Sequence, residues 1–153
     1  MRFYDTAVQP PVIGPMLGRV IGAQRTSEQI VAYPTLIEAA AALVHHCDDL
    51  DWPLVWPTSA AAERLVGAAV LVGEGRVRAR GWTDDVQGEN VLVVEVAAVT
   101  PMSMIQAANH ARALGAAEVR GCGIEVGGDK VDTLDGYTAL TLEGPRPRAL
   151  TAA

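Results

Sequence analysis

The chain has 153 residues, half of them hydrophobic and a fifth charged, which provides for one domain with a proper core and excludes a disordered polymer. A net charge of −6 argues against a general nucleic-acid binder, which needs a basic footprint, although a local basic patch stays open. Two widely spaced cysteines, Cys47 and Cys122, do not make a disulfide framework, no uncharged apolar run has membrane-spanning length, and the N-terminus shows no signal-peptide core, so a cytoplasmic protein is expected, with no membrane contact.

Residues 1–15, with Pro10, Pro11 and Pro15, read as an extended arm, either disordered or docked on a partner subunit. Met16 to Ala23, around Val20 and Ile21, is expected as a short strand, and Gln24 to Glu28 as a turn. Pro34 to Asp48 is the first convincing helix: Thr35 and Glu38 have capping-box spacing, and Leu36, Ile37, Ala40, Leu43, Val44 and Cys47 recur on one face. Adjacent helical residues point about 100° apart, so His45-His46-Cys47 is not read as a metal site. Pro53 to Trp56 reads as a buried strand, Pro57-Thr58-Ser59 as a loop, and Ala60 to Leu65 as a short helix capped by Ser59. Ala68 to Val72 is expected as another strand. Arg76 to Trp82 alternates, with Arg76, Arg78 and Arg80 on one side; a charge-guarded edge strand is the default reading and an anion-facing ridge the other. Thr83 to Asn90 is a polar loop. Trp52, Trp56 and Trp82 are too few for a stacking surface and are read instead as a subunit contact.

The stretch from Val91 to Leu114 organises the rest. Four apolar residues without alternation, Val91 to Val94, fit a strand buried on both faces. Glu95 follows, then a loop with Thr100 and Ser103, then an alanine-rich helix ending at Gly115, which suits a left-handed C-cap. A helix start offers unpaired N–H groups and partial positive charge, so this is an anion-binding candidate. Glu95 is either a ligand-binding acid or a cap, and Thr100 and Ser103 are either phosphate ligands or N-caps. Val119 to Val126 is the next strand, and Gly127-Gly128-Asp129 a turn. Asp132 and Asp135 could meet a base or a metal, but Asp135-Gly136 reads first as a turn. Thr138 to Leu142 is a final strand, and 144–153 a tail. The order of elements predicts a single α/β domain, a mostly parallel sheet flanked by helices, with ligands beyond the carboxyl ends of the strands. That puts Glu95 to Ser103 and Pro57 to Ser59 on one rim.

The order resembles the type I phosphoribosyltransferase fold, whose signature is a hydrophobic strand, two acids and a loop of the form V-x-T-T-G-x-(S/T). Glu95 takes the first acid position, Val96 the second, Thr100 the second threonine, Pro101 the glycine and Ser103 the final hydroxyl. The resemblance is best over residues 91–126 and consistent in order over 34–90, where Pro57 to Ala61 falls at the pyrophosphate loop. It implies that Ala98, Val99, Thr100 and Ser103 cradle a 5′-phosphate, that Glu95 binds ribose, that Thr58 and Ser59 border pyrophosphate, and that Arg76, Arg78 and Arg80 form the family's basic segment. It implies Mg²⁺ if the protein is active, a phosphorylated ribose or nucleotide as ligand, and a homodimer. Val96, Pro101, Met102 and the absence of glycine between Pro57 and Arg64 depart from the pattern and weigh against transfer. A non-catalytic assembly or regulatory protein on the same fold is the alternative. A flavodoxin-like or Rossmann-like module ranks last, for want of a G-x-G-x-x-G run.

Overall fold

The computed structural model describes residues 13–81, 85–130 and 133–142. The helices are α1 (Ile13–Ile30), α2 (Thr35–Asp49), α3 (Ala60–Val72) and α4 (Met102–Ala113). The strands are β1 (Leu54–Pro57), β2 (Arg78–Ala79), β3 (Asn90–Val94), β4 (Ala97–Ala98), β5 (Glu118–Gly123), β6 (Glu125–Val126) and β7 (Tyr137–Ala139).

Five strands form one sheet in the order β2-β1-β3-β5-β7, and every neighbouring pair is parallel. Counted along this sheet, the order is 2-1-3-4-5, the doubly-wound arrangement with its switch point between the first and third strands. The expected α/β class with a mostly parallel sheet is therefore what the chain builds. Strand side chains alternate between two cores. Val55, Leu92, Val94 and Cys122 pack with α2 and α3, while Leu54, Trp56, Val91, Val93 and Val119 pack with α4. β3 lies at the centre and is buried from Val91 to Val94, which is why it reads as an unbroken apolar run.

Several local expectations change. Met16 to Glu28 is not a strand and a turn but part of α1: Met16, Leu17, Val20 and Ile21 repeat at four-residue spacing, and Ser27 and Ile30 carry the helix onto the body. The same helix includes Ile13 to Pro15 of the expected arm; residues 1–12 and 143–153 lie outside the described residues. Ala68 to Val72 is not a strand either, since α3 runs through Gly67 and buries Ala62, Leu65, Val66 and Ala69 at helical intervals. Gly67 faces open space, so its cost to the helix is only the glycine propensity term of about 1 kcal/mol. The capping box of α2 does not form. Thr35 is already helical, and the N–H groups of Leu36 and Ile37 donate to the carbonyls of Ala32 and Pro34. The expected Val119–Val126 strand breaks at Ile124, after which β6 pairs with β4 in a separate two-stranded sheet. The alternating Arg76–Trp82 strand shrinks to Arg78–Ala79, and it is the edge of the sheet.

Trp56 is not a subunit contact: it is fully buried beneath α4, with its ring 5.9 Å from that of His110. Trp52 packs half-buried against the α2 core under the Arg76 guanidinium, and Trp82 lies outside the described residues. The end of α4 does follow the sequence. Gly115 has φ +92°, its N–H donates to Arg112, and the Ala116 N–H donates to Ala111, the paired bonds of a Schellman C-cap.

Candidate functional site

The carboxyl ends of β1 and β3 lie side by side, with Pro57 level with Val94, so the residues after each strand meet above the switch point. From β1 come Thr58 and Ser59, from β3 comes Glu95, and from the first turn of α4 comes Ser103. Ser59 is the N-cap of α3 as expected, accepting the Ala62 N–H at 3.1 Å.

These residues converge on one carboxylate. Glu95 is 4% exposed. Its Oε1 accepts the Ser59 hydroxyl at 2.6 Å and the Val96 N–H at 2.8 Å. Its Oε2 accepts the Ser103 hydroxyl at 2.8 Å and faces the Thr58 hydroxyl at 3.2 Å. Thr58 shares its proton with the Val94 carbonyl, 2.8 Å away. A carboxylate has about four lone-pair sites, and here each faces a protein donor. The charge also sits between the starts of α3 and α4, where both macrodipoles favour it.

The loop expected to cradle a phosphate is packed from outside. Ala98 accepts the Gly127 N–H at 2.9 Å, and a Cβ at Gly127 would stand 2.5 Å from the Val99 oxygen. Gly128, with φ +85°, is pressed against Pro101. Ala98 and Val99 are half-buried, Pro101 is buried, and Thr100 and Met102 are exposed. Neither Thr100 nor Ser103 caps α4: the N-cap position is Pro101, and no side chain bonds there. On the other side, α1 covers the loop, and the buried Ser27 hydroxyl donates to the Ala97 carbonyl at 3.2 Å. Ser27 was concealed in the sequence because its stretch reads as a polar turn; its three-residue spacing from Ile30 is the helical signal.

The second acid position is not part of the site. Val96 points into the α2–α3 core with Ile30, Val31 and Leu140. Arg76, Arg78 and Arg80 do not form one ridge facing Glu95. Arg76 donates to the Gly73 carbonyl and stacks on Trp52, while Arg78 bonds the Trp52 carbonyl and pairs with Glu89 at 2.6 Å. Arg78 is level with Leu54 and, across β1, with Val91. At about 3.3 Å per residue, that leaves it roughly 13 Å along the sheet from Glu95. Arg80 lies one residue beyond β2, its N–H on the Val55 carbonyl.

Asp135 is structural. It accepts the Val119 N–H at 2.7 Å and pairs with Arg112, contacts that hold its carboxyl below the usual range. Asp132 lies outside the described residues. Beside the Gly127–Gly128 turn, a cleft of about 540 Å³ is lined by Lys130, Leu134, Asp135 and Tyr137. Lys130 lies 4.5 Å over the Tyr137 ring, and burial pushes the Tyr137 phenol up to about 12. Burial likewise pushes the Cys47 thiol up to about 12 and raises that of Cys122. Among the described residues, no three His, Cys, Asp or Glu side chains are grouped to hold a metal.

No family model and no curated protein matches the sequence. Among solved structures, the fold is similar to that of purine phosphoribosyltransferases. One is from Pyrococcus horikoshii, at 13% identity over 67% of this chain and 80% of that one, with a TM-score of 0.48. A second is an HGPRT-ase from Leishmania tarentolae solved with GMP, at 13% identity over 74% and 78%, TM-score 0.45. A third is the hypoxanthine phosphoribosyltransferase of Trypanosoma cruzi, at 12% identity over 74% and 79%, TM-score 0.43. Likenesses at this level assign neither family nor activity, and one fold hosts many functions.

Proposed function

We propose that this chain is a non-catalytic protein on a phosphoribosyltransferase-like fold, which transfers no phosphoribosyl group. The observation that carries the proposal is the enclosed Glu95 carboxylate. A ribose-binding acid must offer free lone pairs to the sugar hydroxyls, and Glu95 spends its own on Ser59, Ser103, Thr58 and Val96. The residue that could replace it, Val96, is apolar and buried. The same geometry does not fit Mg²⁺, which needs free oxygen ligands, because the Glu95 oxygens are already bonded within the protein. The test is a pyrophosphate-release assay with phosphoribosyl pyrophosphate, Mg²⁺ and a panel of purine and pyrimidine bases. Release at the rate of the protein-free blank is expected, and base-dependent release above it overturns the reading.

The function in its place is assembly, and the chain works as a homodimer. Every described residue of α1 from Met16 to Gly22 is exposed, and Met16, Leu17, Val20 and Ile21 form an apolar stripe at 42–57% exposure. An unpacked helical segment of this length is marginal in water, the more so with Gly18 and Gly22 in it, so a covering surface is called for. Multi-angle light scattering from micromolar to millimolar chain is expected to give the mass of two chains. A monomer throughout sinks this part.

A second reading keeps a ligand. Thr100 is exposed, and the first-turn N–H groups of α4 have no intrahelical acceptor, so the phosphate of a phosphorylated ribose or nucleotide could be met at Thr100 and Met102. Calorimetric titration with phosphoribosyl pyrophosphate and nucleoside monophosphates decides it: heat lost in Thr100→Ala supports this site, and no heat at millimolar ligand removes it.

A further inference from the structure

We propose that Glu95 is the resident anion of a built carboxylate-binding site, so that the shell around it, once vacated, binds a small planar carboxylate from solution. The inference rests on the site geometry and not on the absence of transfer or on dimerisation.

The shell is furnished for an anion independently of the chain that delivers it. The Ser59 and Ser103 hydroxyls and the Val96 N–H donate to one place, and the Thr58 hydroxyl, whose shorter bond is to the Val94 carbonyl, borders it. They come from three separate segments, the β1–α3 turn, the end of β3 and the first turn of α4, so the donors are fixed by the sheet and two helices. The Ser59 hydroxyl is further fixed by the Ala62 N–H it accepts, and its proton is thereby directed at the carboxylate. Two helix starts add positive potential from different directions. Such a shell left empty would hold the buried Val96 N–H and the half-buried Ser59 and Ser103 hydroxyls without their charged acceptor, and a carboxylate receives them better than water does.

The chemistry of the occupant follows from what is removed. Shortening glutamate to alanine deletes one methylene and the carboxylate, the atoms of an acetate ion. Acetate therefore restores both the oxygens and the carbon that fills the space behind them. Formate restores the carboxylate without the carbon behind it. Tetrahedral phosphate offers more oxygens than the planar shell receives, and chloride offers one charge to donors arranged for two atoms. In the unaltered chain the shell is filled by Glu95 and closed to all four.

The test is thermal unfolding of full-length wild type, Glu95→Ala and Glu95→Gln in chloride, formate, acetate and inorganic phosphate at equal ionic strength and pH 7. Wild type sets the unspecific effect of each salt, phosphate raising its Tm by exclusion from the surface, and every variant is read as its difference from wild type in the same salt. Glu95→Ala is expected to melt lower in chloride and to regain about 3–6 °C in acetate at tenfold excess over its Kd, less in formate and least in phosphate. Glu95→Gln fills the space with a neutral amide and is expected to show no acetate effect. Equal Tm for Glu95→Ala in acetate and chloride overturns the proposal, as does an acetate effect of the same size in wild type. If Glu95→Ala does not fold in chloride, recovery of folded protein on refolding into acetate supports the proposal. If it folds in neither salt, the double-mutant cycle of Glu95→Gln with Ser59→Ala decides. Coupling of about tenfold or more in the unfolding constant supports a shell built around the carboxylate, and additivity overturns it. A pyrophosphate-release signal would refute the proposed function while leaving these anion outcomes unchanged.

Discussion

Ser59→Ala is the substitution whose cost the structure specifies most fully, because one hydroxyl does two jobs. It accepts the Ala62 N–H at the start of α3 and donates to Glu95 at 2.6 Å. Loss of an N-cap costs about 1 kcal/mol. Loss of a hydrogen bond to a buried charge costs about 1.5–3 kcal/mol. The sum is about 2.5–4 kcal/mol, against a total stability of about 5–15 kcal/mol for a domain. Ser103→Ala removes only the second kind of bond, since Ser103 caps nothing, and is expected to cost about 1.5–3 kcal/mol. Thr100→Ala, exposed and outside the shell, is expected within about 0.5 kcal/mol of wild type. Urea unfolding followed by circular dichroism, with m held common across the set, gives all three values. The order Ser59 above Ser103 above Thr100 is the content of the prediction. A Ser59→Ala variant as stable as Thr100→Ala, or less affected than Ser103→Ala, would refute the view that these hydroxyls hold a buried charge between two helices.

Gly127→Ala places a Cβ 2.5 Å from the Val99 carbonyl oxygen, a backbone atom with no rotamer to change. It should cost about 1–3 kcal/mol in the same urea assay, and a neutral result would mean the Ala98–Pro101 loop is looser than described. His46 is held below the usual imidazole value chiefly by burial, with Arg120 and His45 adding to the shift and Asp49 opposing it. A lowered folded pKa means the unfolded chain binds the proton first. The His46 contribution is therefore complete above about pH 6.5 and is lost as pH falls through the folded value. His46→Gln should consequently lose less stability than wild type between pH 7.5 and pH 5, and equal losses would remove His46 from the pH response. Cys47 and Cys122, buried with raised pKa values, should resist iodoacetamide in native protein at pH 8 and react in urea; native labelling at the unfolded rate contradicts the core assignment. Leu17→Asp with Ile21→Asp should leave the urea midpoint near wild type at dilute chain while abolishing the two-chain mass, because both side chains are exposed in the single chain.

The parts of the fold that were legible in the sequence are those where one periodicity dominates. Val91 to Val94, apolar without alternation, fitted a strand buried on both faces, and the α2 stripe recurs at helical spacing. Gly115 marked the end of α4 because left-handed backbone favours glycine. The misread elements are those where a short apolar pair fits both periods. Val20-Ile21 looks like a strand until Met16 and Leu17, one helical turn earlier, are counted with it. Ala68 to Val72 looks like a strand because Gly67 interrupts the pattern, yet that glycine faces open space and leaves α3 intact. Parallel pairing was legible from the alternation of strands and helices. The separate β4–β6 sheet was not, because it consists of two-residue strands with no local signature.

The site shows a different limit. Thr58, Ser59, Glu95 and Ser103 were each legible as residues at strand ends and helix starts. Their convergence depends on β1 lying beside β3, a pairing between segments 36 residues apart that no local pattern encodes. That convergence also changes what the acid can do. A glutamate at the end of a strand is available chemistry while its oxygens face solvent, and it becomes an internal ligand once four protein donors surround it. The same turn of chain sends position 96 into the apolar core, where a second carboxylate would be buried among Ile30, Val31 and Leu140 without a partner, at a cost of several kcal/mol. The enclosed glutamate and the valine after it are thus two consequences of one backbone path. Placing an acid at position 96 should destabilise the fold in urea unfolding without creating an anion or sugar site, since its carboxylate would face the α2–α3 core and not the rim.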